Sequence, residues 1–391
     1  VIDPLDGRRD IEERLIRPVS PSIIADDPLR ALRAVRQASE LDFHLAEETD
    51  LLIRQDGHAL CEVAAERVRD EVARLLSMPA ASTSLELLDG LGLLTILFPE
   101  LRPMRALSQP PPHHLDAFDH ALSTVRGLEQ LLGALPVRNP AADGMGLGVA
   151  PRPGFPTAIP NLAPLLPFAA WVQDHLGVDM GGGRPRLVAL KMAALLHDTG
   201  KPGTRSLDHD GRIRFFGHEQ ASAEIASTTM RRLRFTNSEV RLVRTVVRHH
   251  MRPILLAKQG GVTARAVYRF FRDTGDAGID TLLHAPADHL ATYPPGKLDS
   301  PSKLDMPGEL GGEWIKLVDL VARMLGDYWE GREERVEPPR LLDGRDIMRE
   351  LDLRPGPQIG QLLETVREAQ VSGEVRTREE ALGLLRRSVA S

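Results

Sequence analysis

Apolar residues recur along almost the whole chain at three- or four-residue spacing, the period of one helix face, and almost nowhere alternate with period two over a strand's length. The pattern predicts an all-α protein, a multi-domain helical array with at most a small β-hairpin. In 26–41, Leu29, Leu32, Val35 and Leu41 mark an apolar face while Arg30, Arg33 and Arg36 form a second stripe. Asp26 or Asp27 is placed to cap that helix, and Pro28 suits its first turn. Further helices are expected near 47–56, 63–77, 84–94, 117–134, 186–199, 217–233, 237–251, 263–273, 277–291, 308–330, 343–351, 357–371 and 377–388. The one hairpin signal, Asp208-His209-Asp210-Gly211 before Arg212-Ile213-Arg214-Phe215-Phe216, is short and is expected to be peripheral. Proline and glycine crowd 136–160, and Gly181-Gly182-Gly183 follows a short helical stretch, so 136–185 reads as an insertion or mobile loop. Tyr293 to Pro307, with Pro294, Pro295 and Pro301, reads as the boundary between a middle domain and a C-terminal helical one.

Composition narrows the classes. The 391 residues suggest about two or three domains, and 42% hydrophobic with 27% charged residues is the make-up of a soluble globular protein. With 49 basic against 55 acidic residues the net charge is -6, so any polyanion site must be a local patch. A single cysteine, Cys61, excludes a disulfide framework and a multi-thiolate zinc site, and points to a reducing compartment. No apolar run approaches the roughly 18 to 20 residues needed to span a bilayer, and no signal-peptide pattern opens the chain, so a cytoplasmic location without membrane contact is expected. Only six of the basic residues are lysine, at 191, 201, 258, 297, 303 and 316. Arginine's forked guanidinium grips phosphate bidentately, which lysine cannot do. Seven arginines stand against one acid, Glu239, over 231–252, a stripe that would attract a phosphate-bearing substrate or simply form a solvated face.

The strongest chemical signal is Ala194-Leu195-Leu196-His197-Asp198-Thr199-Gly200-Lys201, an apolar helix ending in His-Asp and a Gly-Lys turn. Upstream lies Phe118-Asp119-His120 at the start of an amphipathic helix. Downstream come Gly217-His218-Glu219, then Arg248-His249-His250, then Ala287-Asp288 within another helix. Imidazole and carboxylate suit first-row divalent metals, and a two-oxygen Asp can bridge a pair of ions. Such a centre polarises a phosphoryl oxygen and lowers the pKa of bound water, so the implied chemistry is phosphoester hydrolysis. Taken singly, each residue has a plainer reading: His120 and His218 as helix-surface or capping residues, His249-His250 at the negative end of a helix dipole, Asp288 as a solvated helix residue. The other eight histidines, including His113-His114, are left as structural or exposed.

This order resembles the HD phosphohydrolase superfamily, whose fold is an all-α bundle carrying its ligands on different helices. The resemblance implies that His120, His197, Asp198 and Asp288 are core metal ligands, and that His218 with one or both of His249 and His250 are the extra ligands of two-metal members. It implies that Lys201 contacts phosphate, making His197, Asp198 and Lys201 the catalytic set. One or two divalent ions are expected, with magnesium, manganese, nickel and iron not distinguished. The long stretch between His120 and His197 departs from the pattern.

A second resemblance covers nearly the whole chain. Val1-Ile2-Asp3-Pro4-Leu5-Asp6-Gly7-Arg8-Arg9-Asp10-Ile11, Arg14-Leu15-Ile16-Arg17 and Asp26-Asp27-Pro28-Leu29-Arg30-Ala31-Leu32-Arg33 look like the end of the head and the neck of class II tRNA nucleotidyltransferases, the CCA-adding enzymes and bacterial poly(A) polymerases. Ala65-Glu66-Arg67-Val68-Arg69-Asp70-Glu71 is similar to a later neck motif, and Leu342-Asp343-Gly344-Arg345-Asp346, Arg354-Pro355-Gly356-Pro357 and Thr377-Arg378-Glu379-Glu380-Ala381 to the tail. An Asp and an Arg three apart on one helix face, Asp27 and Arg30, can offer acceptor and donor fork to a base edge, or can form an N-cap with an i,i+3 salt bridge. The resemblance implies that Asp27, Arg30, Arg33 and Arg67 bind the incoming CTP or ATP, and that the partner is the 3′ end of tRNA or another RNA.

The expected domains are 1–20 as the end of a nucleotidyltransferase head, 21–110 as the neck, 111–292 as the HD domain and 308–391 as a tRNA-binding tail. The family's Gly-rich phosphate-binding turn and paired-carboxylate motif do not occur in these residues. As it stands the chain is therefore expected not to transfer nucleotides: the head precedes Val1 in the natural protein, or the gene has lost it. Two other readings stay open, a non-catalytic RNA-binding protein and a stand-alone nucleotide phosphohydrolase. CCA versus poly(A) addition and the oligomeric state are not legible.

Overall fold

The helix Leu29–Leu41 (α1) starts where the sequence places it. Pro28, at φ −59°, is preset for the first turn, and Asp27 Oδ1 accepts from the Leu29 amide at 3.3 Å. Asp42, in the left-handed region at φ 55°, ends it, and Leu29, Leu32, Val35 and Ala38 form the buried face. The computed structural model describes residues 3–136, 159–293 and 310–390. Further helices of eight residues or more are Glu47–Asp56 (α2), Ala65–Ser77 (α3), Ala81–Gly90 (α4), Ala117–Ala134 (α5), Ala169–Gly177 (α6), Arg186–Leu196 (α7), His218–Arg232 (α8) and Asn237–His249 (α9). Then come Met251–Lys258 (α10), Ala264–Thr274 (α11), Ala277–Thr292 (α12), Leu310–Trp329 (α13), Gly344–Leu351 (α14), Pro357–Val371 (α15) and Arg378–Ala390 (α16). The protein is a helical array. Among the described residues two strand pairs accompany it, one more than the single expected hairpin: Leu15–Ile16 (β1) runs parallel to His44–Leu45 (β2), and Ser206–Leu207 (β3) antiparallel to Ile213–Arg214 (β4). Two-residue strands are too short to leave an alternating pattern.

At the centre α5, α7, α9 and α12 pack on one another. Every residue of α12 is buried, and all of α7 except Leu187; the mostly apolar α7 is suited to this, whereas α12 also buries Asp280, His284, Asp288 and His289. The crossing of α5 and α12 is close because Gly127 lies in it: a Cβ there would meet Ala287 O at 2.6 Å. Lys191 of α7, buried, donates to Glu129 of α5 at 2.8 Å and to Met78 O at 2.6 Å, while Glu129 also accepts from Ser82 Oγ at 2.6 Å. One enclosed charge pair thus ties α4, α5 and α7.

Three expectations need correction. Residues 163–177, inside the segment read as an insertion or loop, form a 3₁₀ turn and then α6, because Leu165, Phe168, Ala169, Val172 and Leu176 recur at helical spacing and bury. Residues 137–158 of that segment lie outside the described residues. The helix expected at 237–251 ends at His249, and α10 restarts at Met251 with Pro253 in its first turn, where a missing amide costs nothing. The helix α13, grouped from sequence with the tail, buries Trp314, Val318, Val321 and Leu325 in the large core. A second core, built on Leu342, Ile347, Val366, Ala381 and Leu385, begins beyond Val336. The boundary expected over 293–307 lies outside the described residues from 294 onward.

Candidate metal centre

Six helices, α5, α7, α8, α9, α10 and α12, carry or flank the residues of the charged centre. His120 stands in the first turn of α5, whose start is fixed by Asp116 accepting from the Asp119 amide. His197 and Asp198 follow the end of α7, His218 opens α8, His250 links α9 to α10, and Asp288 lies on α12. His120 Nε2 is 2.8 Å from Asp288 Oδ1 and 3.8 Å from Asp198 Oδ2. His197 Nε2 is 3.1 Å from Asp198 Oδ2 and 3.7 Å from Asp288 Oδ1. His218 Nε2 and His250 Nε2 approach Asp198 Oδ1 at 3.5 and 4.0 Å. All six side chains are buried.

The imidazoles are oriented by the backbone. Nδ1 of His197, His218 and His250 donates to the carbonyls of Ala194, Phe215 and Val247 at 2.9, 2.8 and 2.7 Å. That fixes the proton on Nδ1 and turns the Nε2 lone pair inward, the arrangement of a metal-ligating histidine. Among the described residues, Nε2 of His197 and His218 and Oδ1 of Asp198 are buried without a hydrogen bond. Three sets of ligand atoms lie within 4.8 Å of one another: His120, His197, Asp198; His197, His250, Asp288; and Asp198, His218, His250. Buried orphan lone pairs on nitrogen and carboxylate oxygen are costly alone and are what a divalent cation satisfies, so these residues fit one or two ions. Burial opposes ionisation of Asp198, yet His197, Lys201 and His218 hold its carboxyl well below the usual carboxylate range. Asp288 is held low against burial by the His120 hydrogen bond and by His197. Burial, then His197 and His218, push His250 well below the usual imidazole value, keeping its lone pair available.

The turn after the ligands places Lys201. Gly200 is required there: a Cβ would meet the Ser222 amide at 2.5 Å and His218 O at 2.6 Å. Lys201 Nζ donates to Asp198 Oδ2 at 2.5 Å and Gln109 Oε1 at 2.6 Å. A cavity of about 500 Å³ opens over the centre, with Asp198, Lys201, His218, His250 and Asp288 in its wall. The hairpin expected to be peripheral instead contributes Ile213, Arg214, Phe215 and Phe216 to that wall, Phe216 being 78% exposed. His113 also lines the cavity, its ring 5.0 Å from that of His120, and burial and His120 push its pKa down to about 4.

The structure separates other site residues. His249 faces away: next to His250 on the helix it points about 100° round the axis, is half-buried, and feels Arg252 and Asp273 rather than the cluster. The assignment of His249 as a ligand is therefore corrected. His284, left as structural, lies one helical turn before Asp288 with its ring 4.9 Å from His197 and 5.8 Å from His250. Both its ring nitrogens are buried without a hydrogen bond among the described residues, and its i,i+4 spacing to Asp288 was the available signal. In the neck, Asp27 Oδ2 pairs with Arg67 Nη2 at 2.9 Å, whereas Arg30 donates to Ile23 O at 3.2 Å, so the i,i+3 bridge to Arg30 is not formed. Arg33 and Arg36 both grip buried Glu71, at 3.1 and 2.9 Å. Of the arginine stripe, Arg232, Arg234, Arg244 and Arg252 pair with Glu100, Glu66, Glu224 and Asp273, while Arg231, Arg241 and Arg248 are exposed.

Helices that converge a His-Asp pair with further histidines and a second aspartate define a helical HD-type protein. Residues 167–291 match the HD domain family, and 42–104 match the family described as "Probable RNA and SrmB- binding site of polymerase A". The HD match starts after His120, which the fold alone brings in. The chain is 32% identical to the A-adding tRNA nucleotidyltransferase of Deinococcus radiodurans, over 99% of this chain and 74% of that protein. It is 31% identical to the CC-adding tRNA nucleotidyltransferase of Thermus thermophilus, over 96% of this chain and 70% of that protein. The chain belongs to the tRNA nucleotidyltransferase family. Its fold matches a solved CCA-adding enzyme in apo form with a TM-score of 0.54 at 17% identity, covering 100% of this chain and 65% of that one. No helix among the described residues is long and apolar enough to cross a membrane.

Proposed function

We propose that the complete protein adds nucleotides to RNA 3′ ends and that the centre described here is a metal-dependent phosphohydrolase acting on phosphoesters of nucleotides or RNA ends. The supporting observation is the convergence of Asp198, Asp288 and four inward Nε2 atoms beneath an open cavity. His120, His197, Asp198, His218, His250 and Asp288 would hold one or two divalent ions, which supply Lewis-acid polarisation and an acidified water. Lys201 presents its ammonium to the cavity where a phosphoryl oxygen would lie, and Asp198 holds that ammonium in place. Phe215 and Phe216 offer an apolar wall to a ribose or base and keep bulk water from the reacting phosphate.

In the neck, Asp27, Arg30, Arg33 and Arg67 are proposed to bind the incoming CTP or ATP, with the tRNA 3′ end as partner. The Asp27–Arg67 pair would offer an acceptor and a donor side by side. The test of the hydrolase reading is elemental analysis of the purified chain together with hydrolysis of a 2′,3′-cyclic nucleotide by wild type and the His197→Ala/Asp198→Ala double variant. Metal and activity lost together in the variant support it. A wild type that holds no metal and stays inactive with added nickel, manganese or magnesium overturns it.

A further inference from the structure

A second cavity adjoins the one over the metal centre. Of about 200 Å³, it shares Ile254, Lys258, His289 and Glu313 with the first and adds Lys316 and Leu317. It begins one residue from a proposed ligand, since His289 follows Asp288. The His289 ring is stacked on Trp314 at 5.7 Å and 27°, and flanked by Tyr293 at 5.0 Å, so its place is fixed by packing. Its Nε2 is buried and has no hydrogen-bond partner among the described residues. Beside it Lys258 lies 3.6 Å from Glu313, and Lys316 is exposed and makes no ion pair among the described residues.

None of these groups serves metal binding, and their chemistry is that of a phosphodiester site. Lys258 stands beside the carboxylate of Glu313, Lys316 lines the same space, an imidazole has an unmet polar atom, and the space shares its wall with the cavity over the metal centre. A pocket near 500 Å³ holds one small ligand, whereas about 200 Å³ falls below the ~300 Å³ usual for an independent site and makes sense as an extension. We propose that this second cavity is a subsite for the phosphodiester that joins the terminal nucleotide, whose own phosphate lies at the metal centre, to the next nucleotide of the strand, with Lys316 its main specificity determinant and His289 a hydrogen-bonding partner. The site then selects an oligonucleotide end over a mononucleotide. The inference rests on the phosphohydrolase reading only for what occupies the first cavity.

The test measures binding of hydrolysis-resistant 3′-phosphorothioate forms of a mononucleotide and a dinucleotide to the full chain with manganese, by competition against a fluorescent nucleotide. One extra phosphate contact predicts that the dinucleotide binds about five-fold more tightly than the mononucleotide. In Lys316→Ala that ratio falls towards one, and in Lys316→Glu below it. A dinucleotide that binds no better than the mononucleotide, a preference that survives in Lys316→Glu, or no binding of either probe at millimolar concentration overturns the subsite. Because binding is read separately from turnover, a wild type that prefers the dinucleotide but hydrolyses nothing would sink the hydrolase reading and leave the subsite standing.

Discussion

The Nε2 atom of His120 lies 2.8 Å from Oδ1 of Asp288, although 168 positions separate them in the chain. The contact exists because α5 and α12 cross at Gly127, where any side chain would strike the Ala287 carbonyl. Metal binding should therefore depend on α5, outside the segment that matches the HD family. His120→Ala is expected to weaken divalent-metal affinity by at least ~10-fold, read by titration against a metal-sensitive dye, with the far-UV circular dichroism unchanged. Affinity equal to wild type would remove His120 from the ligand set.

The same crossing makes a backbone prediction. In Gly127→Ala the new Cβ must push the helices apart, an overpacking cost of ~1–3 kcal/mol in urea unfolding. Metal affinity should fall with it, because the His120–Asp288 approach lengthens. A variant as stable as wild type would show that the crossing has more room than its 2.6 Å approach allows.

How far this site could be read from sequence differs residue by residue. His197 and Asp198 stood out because an apolar helix ran straight into them, and the bounds of α5 and α15 follow directly from periodicity and caps. His249 and His250 were indistinguishable, since a pattern gives composition while only the helix phase decides which neighbour turns inward. His113 lay beyond sequence reasoning: a loop carries it to His120, and loops have no period. A short helical stretch ahead of Gly181 was legible, but not where it starts, because Pro164 and Pro167 sit in the 3₁₀ turn ahead of α6, where they break nothing. The neck arginines were legible as a stripe, but their partners Glu71 and Asp27 needed the packing of α1 on α3.

The pair Lys191–Glu129 is enclosed on both sides, at 1% and 3% side-chain exposure. Removing one partner leaves the other charged in an apolar setting. Glu129→Ala should cost ~3–5 kcal/mol of stability, measured by urea denaturation. The paired replacement Glu129→Leu/Lys191→Met should recover most of that loss, because neither charge then remains. If the single and double variants were equally destabilised, Ser82 and Met78 rather than the charge pair would carry the effect.

Acid stability should centre on Asp280, which accepts from Arg186 Nη2 at 2.7 Å and lies 3.0 Å from His175 Nε2. Burial opposes its ionisation, but His175 and Arg186 outweigh that and hold its pKa below the ordinary value. A depressed folded-state pKa means the unfolded chain takes up the proton first. The stabilisation is therefore complete above the unfolded value near ~3.9 and is lost as pH falls through the folded one. Asp280→Asn should lower stability at pH 7 by ~3 kcal/mol and flatten the acid limb of a plot of unfolding free energy against pH below ~4. Parallel curves for wild type and variant would show that this carboxylate does not titrate with unfolding.

The C-terminal helices have their own core and meet the body through charge. On α11, Arg265, Arg269 and Arg272 recur at helical spacing and pair with Glu374, Glu368 and Glu364 of the tail, and Tyr268 donates to Glu364 at 3.1 Å. Partly exposed pairs of this kind are screened when the Debye length falls to about 3 Å at 1 M salt, whereas two separate apolar cores are not. High salt should therefore loosen the tail without unfolding it. Trypsin should cut after exposed Arg340, between the cores, several-fold faster at 1 M sodium chloride than at low salt. Arg269→Glu should reproduce that rate at low salt, because it places like charge against Glu368. Cleavage that ignores both salt and charge reversal would mean that apolar contacts along the seam hold the tail in place.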